Sequence, residues 1–302
     1  MHYFKKEEIG IHKFKILEDL FFSVIIPTFE RPADLQKALI ALSPKIQKTA
    51  QPYEVIVSDD SNDQRSRELI MSEFEGIAWT KGKKNGPAGN RNSGAMLSNG
   101  VWLIFIDDDC IPEPDFIESY EKAIIDHPKV KVFEGRIFPD RERKTWAEGC
   151  PENSAGGMLW TSNLCIKKSL FNEIGGFDER FRVAYEDVEF AHRLKQLKIK
   201  SLFVPNAAVC HPWRSLRSGG KNWKTKGYQI ESLLLFLDKH KDAHNEFGRP
   251  TLYLKNFIRI ISKNLFYCLF TLRGRGIDIL VSQALVSLQT FKVLALNNKG
   301  TK

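Results

Sequence analysis

Short uncharged runs alternate with longer amphipathic ones through the first two thirds of the chain. Ser23-Val24-Ile25-Ile26 reads as a buried strand ended by Pro27, whose missing N–H cannot serve a ladder. Pro32 to Leu42 then has helical spacing. Tyr53 to Val57 predicts a second strand, Arg65 to Phe74 a helix, and Ile77-Ala78-Trp79 a short third strand. Gly86 to Leu97 opens a Gly-rich helix, Val101 to Ile106 a strand, Pro112 to Asp126 a helix, and Val130 to Phe133 a further strand. Val204 to Cys210 is again strand-like. This βαβ alternation predicts an α/β domain with a mostly parallel, Rossmann-like sheet between helical layers. Behind Trp213 nearly everything reads as helix.

Charge sharpens that division. The net charge of +8 is carried by the tail: Pro212 to Lys302 holds 16 Lys or Arg against 5 acids (+11), and Met1 to His211 holds 29 against 32 (−3). Such asymmetry suggests an anionic surface as partner, for which a bilayer, nucleic acid or acidic glycan would each serve. Five cysteines without a CxxC or CxxxC pair argue against a zinc cage or disulfide scaffold and suit a reducing cytosol. Met1 to Leu20 lacks a signal-peptide core, and no run of about 18 apolar residues free of charge occurs, which disfavours export and membrane spanning.

The candidate chemistry lies where strands end. Asp107-Asp108-Asp109 follows the uncharged run Val101 to Ile106, and acids crowded at a buried strand end repel one another unless a cation joins them. Strand alternation gives Asp107 and Asp109 a direction that Asp108 does not share. Mg²⁺ or Mn²⁺ bridging a diphosphate suits such an oxygen-rich site, and a solvated acidic turn is the bland alternative. Thr28, Asp59 and Asp60 also follow strands and face the same sheet edge, where ligands of open α/β sheets gather. There a carboxylate accepts hydrogen bonds from the imide of uracil or from ribose hydroxyls, while Asp63 is placed to cap the helix at Arg65. Arg91, in the first turns after Asn85-Gly86-Pro87-Ala88-Gly89-Asn90, offers a guanidinium to a phosphate or a pyrimidine carbonyl.

In this order and spacing the chain resembles the family 2 glycosyltransferases, sugar-nucleotide-dependent inverting enzymes of the GT-A fold. The resemblance runs from Phe22 to His211. It rests on Val24-Ile25-Ile26-Pro27-Thr28-Phe29-Glu30-Arg31, Val55 to Ser61, Asn85 to Gly94, Phe105 to Asp109, Gly175-Gly176-Phe177-Asp178-Glu179 and Glu186-Asp187-Val188-Glu189. It implies a nucleotide-diphospho-sugar transferase domain over residues 21–215, an N-terminal extension over 1–20 and a basic helical C-terminal region over 216–302. Thr28, Arg31, Asp59, Asp60, Arg91 and Asp108 would then meet the donor nucleotide, with Asp60 ahead of Asp59 at the base. Asp109 is implied as first metal ligand, with Asp107 and His211 beside it. A nitrogen ligand would tilt the choice towards Mn²⁺. Asp187 would be the base that takes the acceptor's proton, with Glu186 at the acceptor. Charges at a helix start would also explain that pair. Tyr185 departs from the family, in which a small residue often precedes the acids. Gly156 to Asn163 supplies Trp160 and Asn163 for sugar contact, although Trp160 serves equally as a core residue.

In the tail, Lys255, Arg259 and Lys263 form one stripe of a helix otherwise filled by Leu254, Phe257, Ile258, Ile261, Leu265, Phe266 and Leu269. Arg273-Gly274-Arg275-Gly276 then breaks the chain before a second apolar helix, Ile277 to Leu296. A basic amphipathic hairpin suits the surface of an anionic bilayer, and an ordinary helix pair packed on the catalytic domain explains it as well. No nucleic-acid module is present. The reading is a metal-dependent inverting transferase that takes a UDP-sugar and extends a glycan or lipid-linked acceptor in bacterial surface-polysaccharide synthesis. It would work in the cytoplasm or peripherally on the inner face of the inner membrane. Two alternatives stand beside it: a nucleotidyltransferase, which would carry a glycine-rich loop where Pro27 to Glu30 stands, and a non-catalytic glycan-binding scaffold.

Overall fold

The computed structural model describes residues 22–144, 148–215, 223–271 and 277–297. The expected N-terminal extension and the Arg273 to Gly276 break lie outside them. One compact unit takes in residues 22–141, 150–182 and 186–212, and a second takes in 142–149, 183–185 and the chain from Trp213 onward.

The first unit is an eight-stranded sheet with helices on both faces. In chain order its elements are β1 (Phe22–Thr28), α1 (Pro32–Ala41), β2 (Tyr53–Asp59), α2 (Arg65–Glu73), β3 (Ala78–Lys81), α3 (Pro87–Leu97) and β4 (Trp102–Ile106). After these come β5 (Ile111–Pro112), α4 (Phe116–Asp126), β6 (Val132–Pro139), β8 (Asn163–Lys167), α5 (Lys168–Glu173), α6 (Glu186–Gln196) and β9 (Leu202–His211), with β7 (Glu148–Gly149) belonging to the second unit. The strand order is β3-β2-β1-β4-β8-β6-β9-β5. β8 and β5 run against their neighbours and the other strands run together, so the sheet is largely parallel.

Alternation along the strands divides the core. Val24, Ile26, Ile104 and Ile106 face Leu35 and Leu39 of α1, Ile70 of α2 and Phe116, Ile117 and Tyr120 of α4. Ile25, Leu103 and Phe105 face Ala88 and Ala95 of α3, Leu170 and Phe171 of α5 and Phe190 and Leu194 of α6. On that second face the Phe105 ring lies 5.3 Å from Phe177, which lies 4.6 Å from Phe190. Each buried phenyl is worth about 1.5–3 kcal/mol, so this chain of rings holds the start of α6 firmly relative to the end of β4.

Two sequence expectations are corrected. Pro27 does not end β1, which continues to Thr28. The Thr28 carbonyl accepts the Asp60 N–H, so by parallel alternation Pro27 faces the β4 side, where pairing has already stopped at Ile25–Phe105 and no donor is required. The helix expected from Pro112 starts at Phe116, because Ile111 and Pro112 pair with Cys210 and Val209 as the edge strand β5.

In the second unit β7 pairs antiparallel with β10 (Arg214–Ser215), and α7 (Trp223–Lys239), a 3₁₀ turn (Lys241–Asn245), α8 (Pro250–Thr271) and α9 (Ile277–Asn297) follow. Phe236 of α7 packs edge-on to Phe247 at 5.3 Å, and Asn256 of α8 donates to Ser287 Oγ of α9 at 3.1 Å. Among the described residues no helix is long and apolar enough to cross a membrane.

Candidate active site

The carboxyl ends of β1, β2, β4 and β9 meet at one edge of the sheet. Beyond β4 the chain turns tightly, with the Cys110 N–H donating to the Asp107 carbonyl at 3.1 Å. The turn sends Asp108 towards β1, where the Thr28 hydroxyl donates to it at 2.7 Å. Arg31, with its side chain 51% exposed, reaches Asp108 at 3.3 Å and Asp109 at 3.2 Å. Burial pushes the Asp108 carboxyl up to about 6 despite that guanidinium. Asp109 also meets His211 Nε2 at 3.3 Å. His211 Nδ1 lies 2.8 Å from the Pro212 carbonyl, which only accepts, so Nδ1 carries a proton and Nε2 faces the acids. Burial lowers the His211 imidazole, the Asp109 hydrogen bond and charge raise it, and the balance is upward.

Ligand atoms of Asp107, Asp109, Cys110 and His211 all lie within 4.8 Å of one another. Two carboxylates and an imidazole at that spacing fit a divalent cation. Asp108 stands apart because the turn beyond β4, and not strand alternation, carries it to Thr28.

Beyond the end of β2 Asp60 is buried, and its Oδ1 accepts the Lys84 N–H at 3.0 Å. Burial raises its pKa. Asp59 does other work: its carboxylate accepts the Ser61 N–H at 2.8 Å and the Trp79 indole N–H at 3.3 Å, so it shapes the turn. Asp63 accepts the Arg65 N–H at 3.1 Å. Gly86 opens α3 at φ 97°, where an added Cβ would lie 2.0 Å from the Arg182 carbonyl oxygen. Only glycine fits that approach.

Arg91 departs from expectation. It is 5% exposed, and its guanidinium is committed to Asp107 at 2.8 Å and to Glu186 at 3.1 Å. Ala88 and Ala95, three residues before and four after it, share its buried helix face. Arg91 therefore joins the β4 acids to the start of α6. Glu186 is correspondingly buried as its partner and does not face solvent.

Asp187, in the first turn of α6, accepts its neighbour Val188's N–H at 2.8 Å. Burial raises its pKa. Tyr185 just before the pair has φ 74°, a left-handed conformation that costs a bulky residue energy and suits a small one.

Asn163 is also reassigned. Its amide accepts the Tyr120 hydroxyl at 2.6 Å and donates to the Arg136 and Ala207 carbonyls at 3.0 and 2.8 Å, so both N–H groups are spent joining strands. Trp160 packs half-buried against the core. Sequence reasoning missed Glu134, whose buried carboxylate accepts the N–H groups of Gly157, Met158 and Leu159 at 3.0, 2.9 and 2.7 Å and fixes the loop before Trp160. It also missed Cys110 among the acids, although that residue directly follows them. An acid directly after the strand-like run Val130 to Phe133 was the available signal for Glu134.

The signature of the glycosyl transferase family 2 matches residues 23–193. The chain belongs to that family. An uncharacterised glycosyltransferase of Haemophilus influenzae is 30% identical over 58% of this chain and 62% of its own length. A glucosyl-dolichyl phosphate glucuronosyltransferase of Haloferax volcanii is 26% identical over 43% of this chain and 48% of its own. This family 2 chain thus spans less than two thirds of those relatives. Staphylococcus aureus TarS 1-349, crystallised in complex with UDP, superposes with a TM-score of 0.55 at 17% identity over 94% of this chain and 92% of its own, and shares the fold.

Proposed function

We propose that this family 2 glycosyltransferase moves a sugar from a UDP-sugar to a hydroxyl of a glycan or lipid-linked acceptor, with inversion at the anomeric carbon. One arrangement carries the reading: the Asp107–Asp109–His211 cluster at the sheet edge is tied through buried Arg91 to the acid pair at the start of α6.

Asp60 takes the base and the exposed guanidinium of Arg31, which has donors to spare, takes the diphosphate. Thr28 holds Asp108 in place. Asp107, Asp109 and His211 would hold Mn²⁺ or Mg²⁺, which supplies charge neutralisation for the departing nucleoside diphosphate. Asp187 accepts the proton of the attacking hydroxyl, and its desolvated setting makes it a stronger base than an exposed aspartate. Arg91 keeps Glu186, and with it the first turn of α6, in register with Asp107. Addition of UDP together with Mn²⁺ is expected to raise the melting temperature more than the two separate increments combined, because ligands that bind the native state together stabilise it together. A panel with other nucleoside diphosphates reads the base, and no response to any of them rejects the reading.

We further propose that α8 lies against an anionic bilayer from the cytoplasmic side, where a lipid-linked acceptor resides. The name of the Haloferax volcanii relative, a glucosyl-dolichyl phosphate glucuronosyltransferase, supports such an acceptor. Lys255 and Arg259 are exposed beside the exposed apolar side chains Leu252, Ile258 and Ile261. Each basic residue contributes about 1 kcal/mol near an anionic leaflet, so Lys255→Glu with Arg259→Glu should weaken co-sedimentation with phosphatidylserine vesicles by at least about 30-fold. Unchanged co-sedimentation would reject a bilayer role for α8.

A further inference from the structure

Cys110 is fully buried, yet it stands among metal-ligating groups and not in a purely apolar setting. The 3.1 Å hydrogen bond that closes the Asp107–Cys110 turn brings the thiol round to the side of Asp107 and Asp109. Its Sγ lies 3.6 Å from the Ser162 carbonyl, a weak contact, and within 4.8 Å of ligand atoms of Asp107, Asp109 and His211. A tetrahedral ion with bonds of about 2.0 Å to nitrogen or oxygen and about 2.3 Å to one sulfur keeps its donors roughly 3.3–3.5 Å apart. The four ligand atoms, all within 4.8 Å of one another, lie about 1 Å wider than that spacing at most.

The nature of the donors separates ions. Mg²⁺ is hard, avoids sulfur and insists on octahedral oxygen. Mn²⁺ uses the carboxylates and tolerates the imidazole. Co²⁺, Zn²⁺ and Cd²⁺ accept thiolate readily, and a set of two carboxylates, one imidazole and one thiolate matches their tetrahedral preference. We propose that Cys110 is a fourth, thiophilic ligand of this centre, so that Zn²⁺ and Cd²⁺ bind it far more tightly than Mg²⁺ or Mn²⁺ and displace them. On binding, the Cys110 S–H bond breaks, its proton passes to solvent and the sulfur takes up the metal bond. Closure of all four donors leaves such an ion no open position for a diphosphate. The same residues would thereby give the enzyme a metal-triggered off state.

The inference rests on the metal reading of the site, and the test separates the two. Metals alone are titrated into the metal-free chain of 302 residues. Co²⁺ is expected to produce a near-ultraviolet thiolate-to-cobalt charge-transfer absorption, and Cd²⁺ to bind at least about 100-fold more tightly than Mn²⁺ by calorimetry. In Cys110→Ser, an isosteric change with a hard oxygen, the absorption should vanish and Cd²⁺ affinity fall by about 10–100-fold, while Mn²⁺ affinity stays within about threefold. Cys110→Ala serves as a second variant, with circular dichroism confirming the fold of each. Absence of the cobalt band, or a Cd²⁺ affinity unchanged in both variants, overturns the role of Cys110. If Mn²⁺ still binds in that case and Asp109→Ala abolishes it, the metal reading stands alone. No metal binding by the unaltered protein overturns both.

Discussion

Asp187→Asn should leave UDP and Mn²⁺ binding within about threefold and lower transfer by roughly 10²–10⁴-fold, the span that a positioned general base contributes. The asparagine keeps the oxygen that accepts the Val188 N–H at 2.8 Å, so the first turn of α6 stays formed. It keeps the shape but loses the negative charge and the basic oxygen, which an amide NH2 replaces. The contrast is Glu186→Gln, which breaks the 3.1 Å ion pair with Arg91 and should disturb donor binding as well as turnover. The pH profile gives a second readout. Burial raises the Asp187 pKa, so a protonated, inactive fraction persists to higher pH than for an exposed aspartate. Activity should therefore fall on acidification along a limb that begins above the ordinary aspartate range, and that limb should be missing from the residual activity of Asp187→Asn. An unaltered transfer rate in the variant would remove Asp187 from the chemistry.

Much of the sheet was legible because its strands are buried on both faces. Runs such as Trp102 to Ile106 contain no polar residue, and only a central strand between two helical layers tolerates that. The reversed strand β8 was not legible. Asn163-Leu164-Cys165-Ile166-Lys167 resembles other buried strands in composition, and its direction depends on the long loop from Pro139 that brings it in beside β4. The same limit hid the edge strand β5, whose two residues follow the turn that closes at Cys110.

At the site, motif order indicated which residues gather better than what each one does there. Asp107, Asp109 and His211 converge because strand ends of a parallel sheet share an edge, which is a topological fact that a motif order can carry. Arg91 and Asn163 look in sequence like polar groups available to a ligand. Both are engaged inside the protein: the terminal nitrogens of Arg91 pair with Asp107 and Glu186 while its buried Nε has no partner among the described residues, and the Asn163 amide is shared among Tyr120, Arg136 and Ala207. Partners so distant in sequence, 95 positions between Arg91 and Glu186, leave no local signal. Burying a guanidinium also demands paired acids, so Arg91 is better explained by the two carboxylates around it than by a ligand yet to arrive.

Asp109→Ala removes the one carboxylate shared by Arg31, His211 and the proposed cation. Mn²⁺ affinity should drop by at least about 100-fold, since Asp107 and an imidazole alone make a poor site for a hard ion. UDP should lose the part of its stabilising effect that depends on Mn²⁺ and keep the part that comes from Asp60 and the base pocket, a split that a thermal-shift series with and without metal reads directly. His211 supplies an independent signature. Its imidazole is held above its ordinary value against burial by the 3.3 Å contact with Asp109 and by that residue's charge. With the acid gone, desolvation is opposed only by weaker influences, so the histidine pKa measured by NMR in the metal-free protein should move down. Loss of metal affinity with an unmoved histidine would mean that Asp109 and His211 do not share the centre. A histidine that moves while Mn²⁺ and UDP bind as before would leave the pair as a structural contact and take the cation away from this end of the sheet.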